Sequence, residues 1–208
     1  TGARPQSRVT RRDVPSRLAH GVLSREVRIE HREGDLFAIT FAAMASPCEL
    51  VVETFDRALA LELGGLAAAE AWRIEDKFSR YRNDSVVGRI NASAGNPIEV
   101  DEETAALLDY AARCHEFSDG AFDITIAPKL VAWGILPAPN SHYRPDPQAC
   151  WRDVELGDDY SSVRFRKPLW IDVSGIAKGY AVDRAIECLQ NFGVTQACVN
   201  AGGDLRVH

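Results

Sequence analysis

IDVSGIAKGYAVDRAIECLQNFGVTQACVNAGGD, residues 171–204, decides how this chain is read. It opens on a short apolar run carrying an acid and passes through small residues into a helical pattern bearing a lysine. It then returns through a second apolar run to Ala-Gly-Gly-Asp, so the order is strand, turn, helix, strand, turn. Asp172, Gly175, Lys178 and the Gly202-Gly203 turn therefore fall at ends of elements, where backbone groups are free to meet a ligand. Trp170–Val173 reads as a strand, and a carboxylate on it needs a partner: a backbone N–H of the following turn, Lys178, or a ligand group. Val182, Ala185, Ile186 and Leu189 share one face of the helix, which ends near Asn191-Phe192-Gly193. Lys178 lies close to the helix start, where a cation opposes the dipole unless an anion sits there. The stretch is neither a P-loop nor a G-x-G-x-x-G fingerprint, because the glycine spacing differs.

Outward from this stretch, Asp35–Glu53 gives two apolar runs around Met44-Ala45-Ser46-Pro47, a strand, break, strand pattern in which Met44 is either core or ligand contact. Residues 56–79 form a long helix with Asp56 as N-cap and Gly64-Gly65 weakening its middle. The polar break Arg80–Asp84 follows, with Tyr81 either stacking on a flat ring or closing the core. Asp101, Glu102 and Glu103 open a helix with Ala106, Leu107, Tyr110, Ala111 and Cys114 on one face. In AFDITIAPKLVAWG, Asp123 is a cap or a ligand group, and Pro128 starts a short helix. Residues 137–147 are a proline-rich surface loop in which His142 has no assigned role. Val154–Leu156 and Val163–Arg166 form a hairpin.

Two hundred and eight residues suffice for one or two domains with a real core, and the formal charge of −6 gives no reason to expect nucleic acid. Residues 1–34 are read as a mobile leader and 35–208 as the folded domain. No apolar run has the length of a membrane helix. Five scattered cysteines, never C-x-x-C, read as buried thiols, which favours the cytosol; an upstream signal removed before Thr1 would instead place the protein in the cell envelope. Residue physics alone thus reaches an α/β protein with an anion or nucleotide site at element ends.

M-x-S at Met44, FSRYRNDS with RIN, DGAFDITIAPKLVAWG, WIDVSGIAKGYAVDRA and VNAGGDLR occur in an order that resembles the ApbE-type flavin transferases, the FAD:protein FMN transferases. The resemblance runs from Phe41 to Arg206. It implies a mixed α+β and α/β fold of the ApbE (T-fold-like) type, a layered sheet with packed helices. It also implies Mg²⁺-dependent transfer of FMN from FAD to a Thr or Ser hydroxyl of an acceptor protein, with AMP leaving. FAD hydrolysis to FMN and AMP, or flavin binding without catalysis, are the alternatives. By the same resemblance Met44, Tyr81, Ala121, Phe122, Asp123, Asp172 and Lys178 contact FAD, and Gly175 offers its backbone carbonyl to the metal. Catalytic residues and the remaining metal ligands are expected beyond His208, in a segment that would complete the C-terminus of the fold. Two positions depart from the family pattern: Met-Gly-Thr is Met44-Ala45-Ser46 here, and Ser-Glu is Ser85-Val86.

Overall fold

The computed structural model describes residues 25–136, 146, 148–158 and 160–208. The leader through residue 24 and most of the 137–147 loop, His142 included, lie outside the described residues. Strands β1 (Arg28–His31), β2 (Leu36–Ala43), β3 (Ser46–Glu53), β7 (Ala197–Ala201) and β8 (Asp204–Val207) make one antiparallel sheet in the order β1-β2-β3-β7-β8. Register builds the core row by row: Val52 pairs with Phe37 on one side and Ala197 on the other, Leu50 with Ile39 and Val199, and Cys48 with Phe41 and Ala201. All nine side chains are buried, as strand alternation requires of a sheet covered on one face.

The cover is two helices, α1 (Arg57–Phe78) and α5 (Ser174–Asn191). Asp56 caps α1 by accepting from the backbone N–H groups of Ala58 at 2.7 Å and Leu59 at 3.3 Å. Gly64, read as a weak point, is where α1 closes on the sheet: a Cβ there would lie 2.3 Å from the Ile39 side chain. The expected α5 face of Val182, Ala185, Ile186 and Leu189 is buried.

A second core lies at the other end of α1. It gathers α2 (Val86–Asn91), α3 (Glu102–Phe117) and a small sheet of β4 (Ile98–Glu99), β6 (Ser162–Phe165) and β5 (Val154–Leu156) around Ile124, Leu169, Ile171 and Val173, and the short α4 (Ala127–Ala132) follows Ile124 in the chain. The five cysteines are free thiols, but only Cys48 is buried and the other four are partly exposed, short of the burial expected of all five; the expected hairpin at β5–β6 is found. Among the described residues no helix is long and apolar enough to cross a membrane.

Three expectations are corrected. Residues 28–31, assigned to the leader, form β1, an edge strand held by backbone pairing to β2, with only Ile29 partly covered. The buried face of α3 is Thr104, Leu107, Leu108 and Ala111, leaving Tyr110 half exposed. Thr104 can turn inward because its hydroxyl donates to Asp101 Oδ1 at 2.6 Å. Trp170–Val173 is not a strand; it runs as a largely buried connection in which the backbone of Ile171 and Asp172 is held by groups outside any sheet.

The β2–β3 connection is a two-residue hairpin with Met44 at φ 51° and Ala45 at φ 54°, since Ala43 pairs directly with Ser46. Such a turn demands positive φ at both central residues and favours glycine. Ala45→Gly is therefore expected to stabilise the protein by about 0.5–1 kcal/mol, roughly 2–3 °C in calorimetric midpoint. An unchanged or lower midpoint would show that the turn carries no such strain.

Glu103 ties α1, α3 and α5 together. It accepts from the Arg73 guanidinium at 2.8 and 2.6 Å, from Lys77, and from the Tyr180 hydroxyl at 2.9 Å. The Arg73 fork foremost, then Lys77 and Tyr180, outweigh burial and hold its carboxyl down to about 2 from 4.5. A depressed folded value means this stabilisation is present above pH 4.5 and is lost as pH falls through about 2. The urea midpoint is expected to drop across that window, and Glu103→Gln to flatten the drop. An equally steep fall in the variant would assign the acid sensitivity elsewhere.

Candidate functional site

The Asp172 segment is held by side chains and a loop in place of a sheet. Asn91, at the end of α2, accepts the Ile171 N–H at 2.8 Å and donates to the Ile171 carbonyl at 3.0 Å, as a neighbouring strand would. The Asp172 N–H donates to the Ile124 carbonyl at 2.7 Å, tying this segment to Ala121–Asp123. Of the partners open to the Asp172 carboxylate, the backbone is used: Ser174 N–H donates to Oδ1 at 2.9 Å and so caps α5, whose own N-cap Val173 has no side-chain acceptor. Lys178 is not among its partners. Instead, Arg80 Nη1 donates to Asp172 Oδ2, and the two side chains are only 9% and 11% exposed. Arg80 also lies over the Tyr81 ring at 4.6 Å and the Trp170 ring at 5.7 Å. Tyr81 itself is 60% exposed and offers the outer face of its ring.

Lys178 points the other way along α5. Its Nζ donates to Ser46 Oγ at 2.7 Å, just after the β2–β3 turn. Gly202, at φ 61° in the β7–β8 turn, completes the junction: its N–H donates to the Pro47 carbonyl at 3.1 Å, and a Cβ there would collide with Ser46 Oγ at 2.8 Å. Three elements remote in sequence thus place one cation, one hydroxyl and two tight turns together. No ion pair holds Lys178 among the described residues, so its charge is available to an anion.

Met44 packs against both cores, and its N–H donates to Glu75 Oε1 at 2.9 Å. Burial pushes the Glu75 carboxyl up, against the Met44 hydrogen bond that lowers it. Phe122 is fixed at both ends of its peptide: Ser118 Oγ accepts its N–H at 2.8 Å, and His115 Nδ1 lies 2.8 Å from its carbonyl. Its ring lies against α5, 3.2 Å from where a Cβ on Gly175 would sit. Ala121 closes the preceding turn through its N–H to the Ser118 carbonyl at 3.0 Å. Asp123 caps locally, accepting from the Thr125 N–H at 2.8 Å and hydroxyl at 2.7 Å.

The first turns of α5 therefore gather two sets, Asp172 with Tyr81 through Arg80, and Lys178 with the two hairpin turns, with Phe122 against Gly175. Arg80, Ser46, Glu75, Asn91 and His115 carry contacts that were not assigned from sequence. Their partners in these contacts lie 7 to 132 positions away, and the M-x-S, SRYR and RIN motifs marked three of the five, Ser46, Arg80 and Asn91, without their partners. A groove of about 400 Å³ between α3 and α5 is lined by Tyr110, Gly175, Gly179, Asp183 and Asp204. Another of about 460 Å³ runs beside the β2–β3 turn past Arg28, Phe41, Ala45 and Ser46. Each takes in one edge of the gathered residues. Among the described residues no three His, Cys, Asp or Glu side chains stand together as a metal site.

Comparison with known proteins places these motifs. The sequence matches the ApbE family over residues 44–208. It is 30% identical over 146 residues to the FAD:protein FMN transferase of Haemophilus influenzae, which covers 64% of this chain and 42% of that protein. The Vibrio cholerae protein of the same name is 29% identical over 142 residues, with the same shares. The chain thus spans less than half the length of these curated relatives. Among solved structures, the ApbE protein of Thermotoga maritima superposes with a TM-score of 0.70 at 30% identity, over 83% of this chain and 58% of that one. The apo flavinyl transferase ApbE of Pseudomonas stutzeri gives 0.70 at 26%, over 86% and 62%. Since the family match begins at the β2–β3 turn and runs through both α1 and α5, it takes in every residue gathered above, and the chain belongs to the ApbE family.

Proposed function

We propose that this chain builds the FAD site of an FAD:protein FMN transferase, which moves FMN from FAD to a Thr or Ser hydroxyl of an acceptor protein and releases AMP. The observation that carries the reading is the meeting of Lys178, Ser46 and Gly202. It offers a cation without a carboxylate partner among the described residues, beside backbone that approaches closely because residue 202 has no Cβ. That is a place for a pyrophosphate. The exposed Tyr81 ring supplies a stacking face for a flat heterocycle, and Met44, Ala121, Phe122, Asp123 and Asp172 complete the proposed FAD contacts.

In the reaction, the acceptor oxygen attacks the phosphorus on the FMN side of the pyrophosphate. The bond from that phosphorus to the bridging oxygen breaks, AMP departs with that oxygen, and the hydroxyl proton is released. Catalysis of such a transfer rests on positioning and charge stabilisation. Magnesium would add charge neutralisation at the phosphates, with the Gly175 carbonyl as one donor. One carbonyl does not make a magnesium site, and the described residues supply no acidic cluster around it, so no step is assigned through the ion.

The test is incubation of the purified protein with FAD, MgCl₂ and a flavin-acceptor protein, followed by a denaturing gel. Flavin fluorescence that stays with the acceptor band is the expected result. Free FMN and AMP with an unlabelled acceptor would replace transfer by hydrolysis, and unchanged FAD would reduce the role to binding.

A further inference from the structure

We propose that Arg80 is a positioning residue of the FAD pocket, holding Tyr81 and Asp172 in register with one guanidinium; this rests on the FAD reading of those two residues. Tyr81 follows α1 and Asp172 precedes α5, 91 positions later in sequence. Arg80 stands between them. Nη1 binds Asp172 Oδ2, Nη2 binds the Tyr81 hydroxyl, and the guanidinium carbon lies 4.6 Å from the centre of the Tyr81 ring. The Trp170 ring, at 5.7 Å, contributes a further aromatic contact.

The exposures give the direction of the effect. Arg80 and Asp172 are 9% and 11% exposed, whereas Tyr81 is 60% exposed, so a buried ion pair fixes the position of a surface ring. Arrangement for stability alone would satisfy every donor of a buried guanidinium. Arg80 Nε is instead buried without a hydrogen-bond partner. A donor left unsatisfied is a cost the fold bears when the side chain is drawn elsewhere, here toward Asp172 and Tyr81 through its two terminal nitrogens. The planar fork reaches the acid and the ring hydroxyl from two nitrogens held a fixed distance apart while its carbon lies over the ring, a geometry that the single nitrogen of an ammonium does not reproduce.

Arg80→Lys separates this from simple charge balance, because it keeps the positive charge opposite Asp172. FAD affinity is read by quenching of flavin fluorescence, and folding by circular dichroism and thermal midpoint. The variant is expected to fold and to bind FAD about tenfold more weakly, because one ammonium nitrogen does not reproduce the two spaced contacts, Nη1 to Asp172 and Nη2 to the Tyr81 hydroxyl. Tyr81→Phe is expected to weaken binding in the wild-type background and to add little on top of Arg80→Lys, since the ring is already released. Should the lysine variant not fold, Arg80→Gln, planar and uncharged, carries the same expectations. Wild-type affinity in the folded variant, or fully additive effects of the two substitutions, would overturn the role of Arg80 while leaving the FAD site intact. A wild-type protein that binds no FAD would remove the function and the role together.

Discussion

Asp172→Asn is expected to cost about 3 kcal/mol of unfolding free energy, because it leaves a buried guanidinium without its counter-charge. The substitution preserves shape, and the amide oxygen can still accept the Ser174 N–H that caps α5. On the other side its NH₂ then faces Arg80 Nη1, donor against donor, where both side chains are about nine-tenths buried. Urea unfolding at neutral pH reads the effect directly, and a loss below about 1 kcal/mol would place the pair among those worth little. Replacing both partners, Arg80→Met with Asp172→Leu, is expected to recover most of the loss, because the desolvation cost goes with the charges. FAD affinity is expected to fall in both variants. Recovery of stability without recovery of FAD binding distinguishes the structural role of Asp172 from its ligand role, which the sequence alone merged into one.

That merging shows where sequence reading stops. The Asp56 cap, the α5 stripe and the β5–β6 hairpin were legible because their causes are local: a side chain reaching two or three residues ahead, a periodicity repeated within one element, or a short turn between two apolar runs. Lys178 was legible as an anomaly, a cation at the wrong end of a helix dipole, but its partner Ser46 lies 132 positions earlier and nothing nearby announces it. Trp170–Val173 was misread for the same reason. A tetrapeptide with three apolar residues satisfies the pattern of a strand, yet pattern cannot say whether the backbone partner is another strand or an asparagine side chain. Arg28–His31 failed in the opposite direction, since an edge strand with one partly covered residue has almost no apolar signal and exists through pairing alone. The three partners weighed for Asp172, a backbone N–H of the following turn, Lys178 or a ligand group, included the Ser174 N–H that is used but not Arg80, although Arg80 stood in a motif already singled out. Charge complementarity across 92 positions is visible only once α1 and α5 are packed side by side.

Asn91→Ala is expected to be about as damaging as the loss of the Asp172 charge, for a different reason. The Asn91 amide satisfies both polar groups of Ile171, a residue with no exposed surface, so truncation orphans a buried N–H and a buried carbonyl together. At about 1–2 kcal/mol each, the expected loss is 2–4 kcal/mol. Asn91→Asp should recover only half of the arrangement, since a carboxylate accepts from the N–H but cannot donate to the carbonyl. Asn91→Gln restores both chemistries on a longer arm and tests geometry alone. Because Ile171 precedes Asp172 directly, the damage should reach the site: amide exchange at Ile171 and Asp172 is expected to accelerate in Asn91→Ala before global unfolding does. Exchange that remains as slow as in the wild type, with an unfolding free energy within about 0.5 kcal/mol of it, would mean that water or a neighbouring backbone replaces the amide. If the loss is found, the register of Asp172 against Arg80, and through it the Tyr81 ring, is set by a side chain of α2 whose amide bonds Ile171 and, among the described residues, none of the proposed FAD contacts.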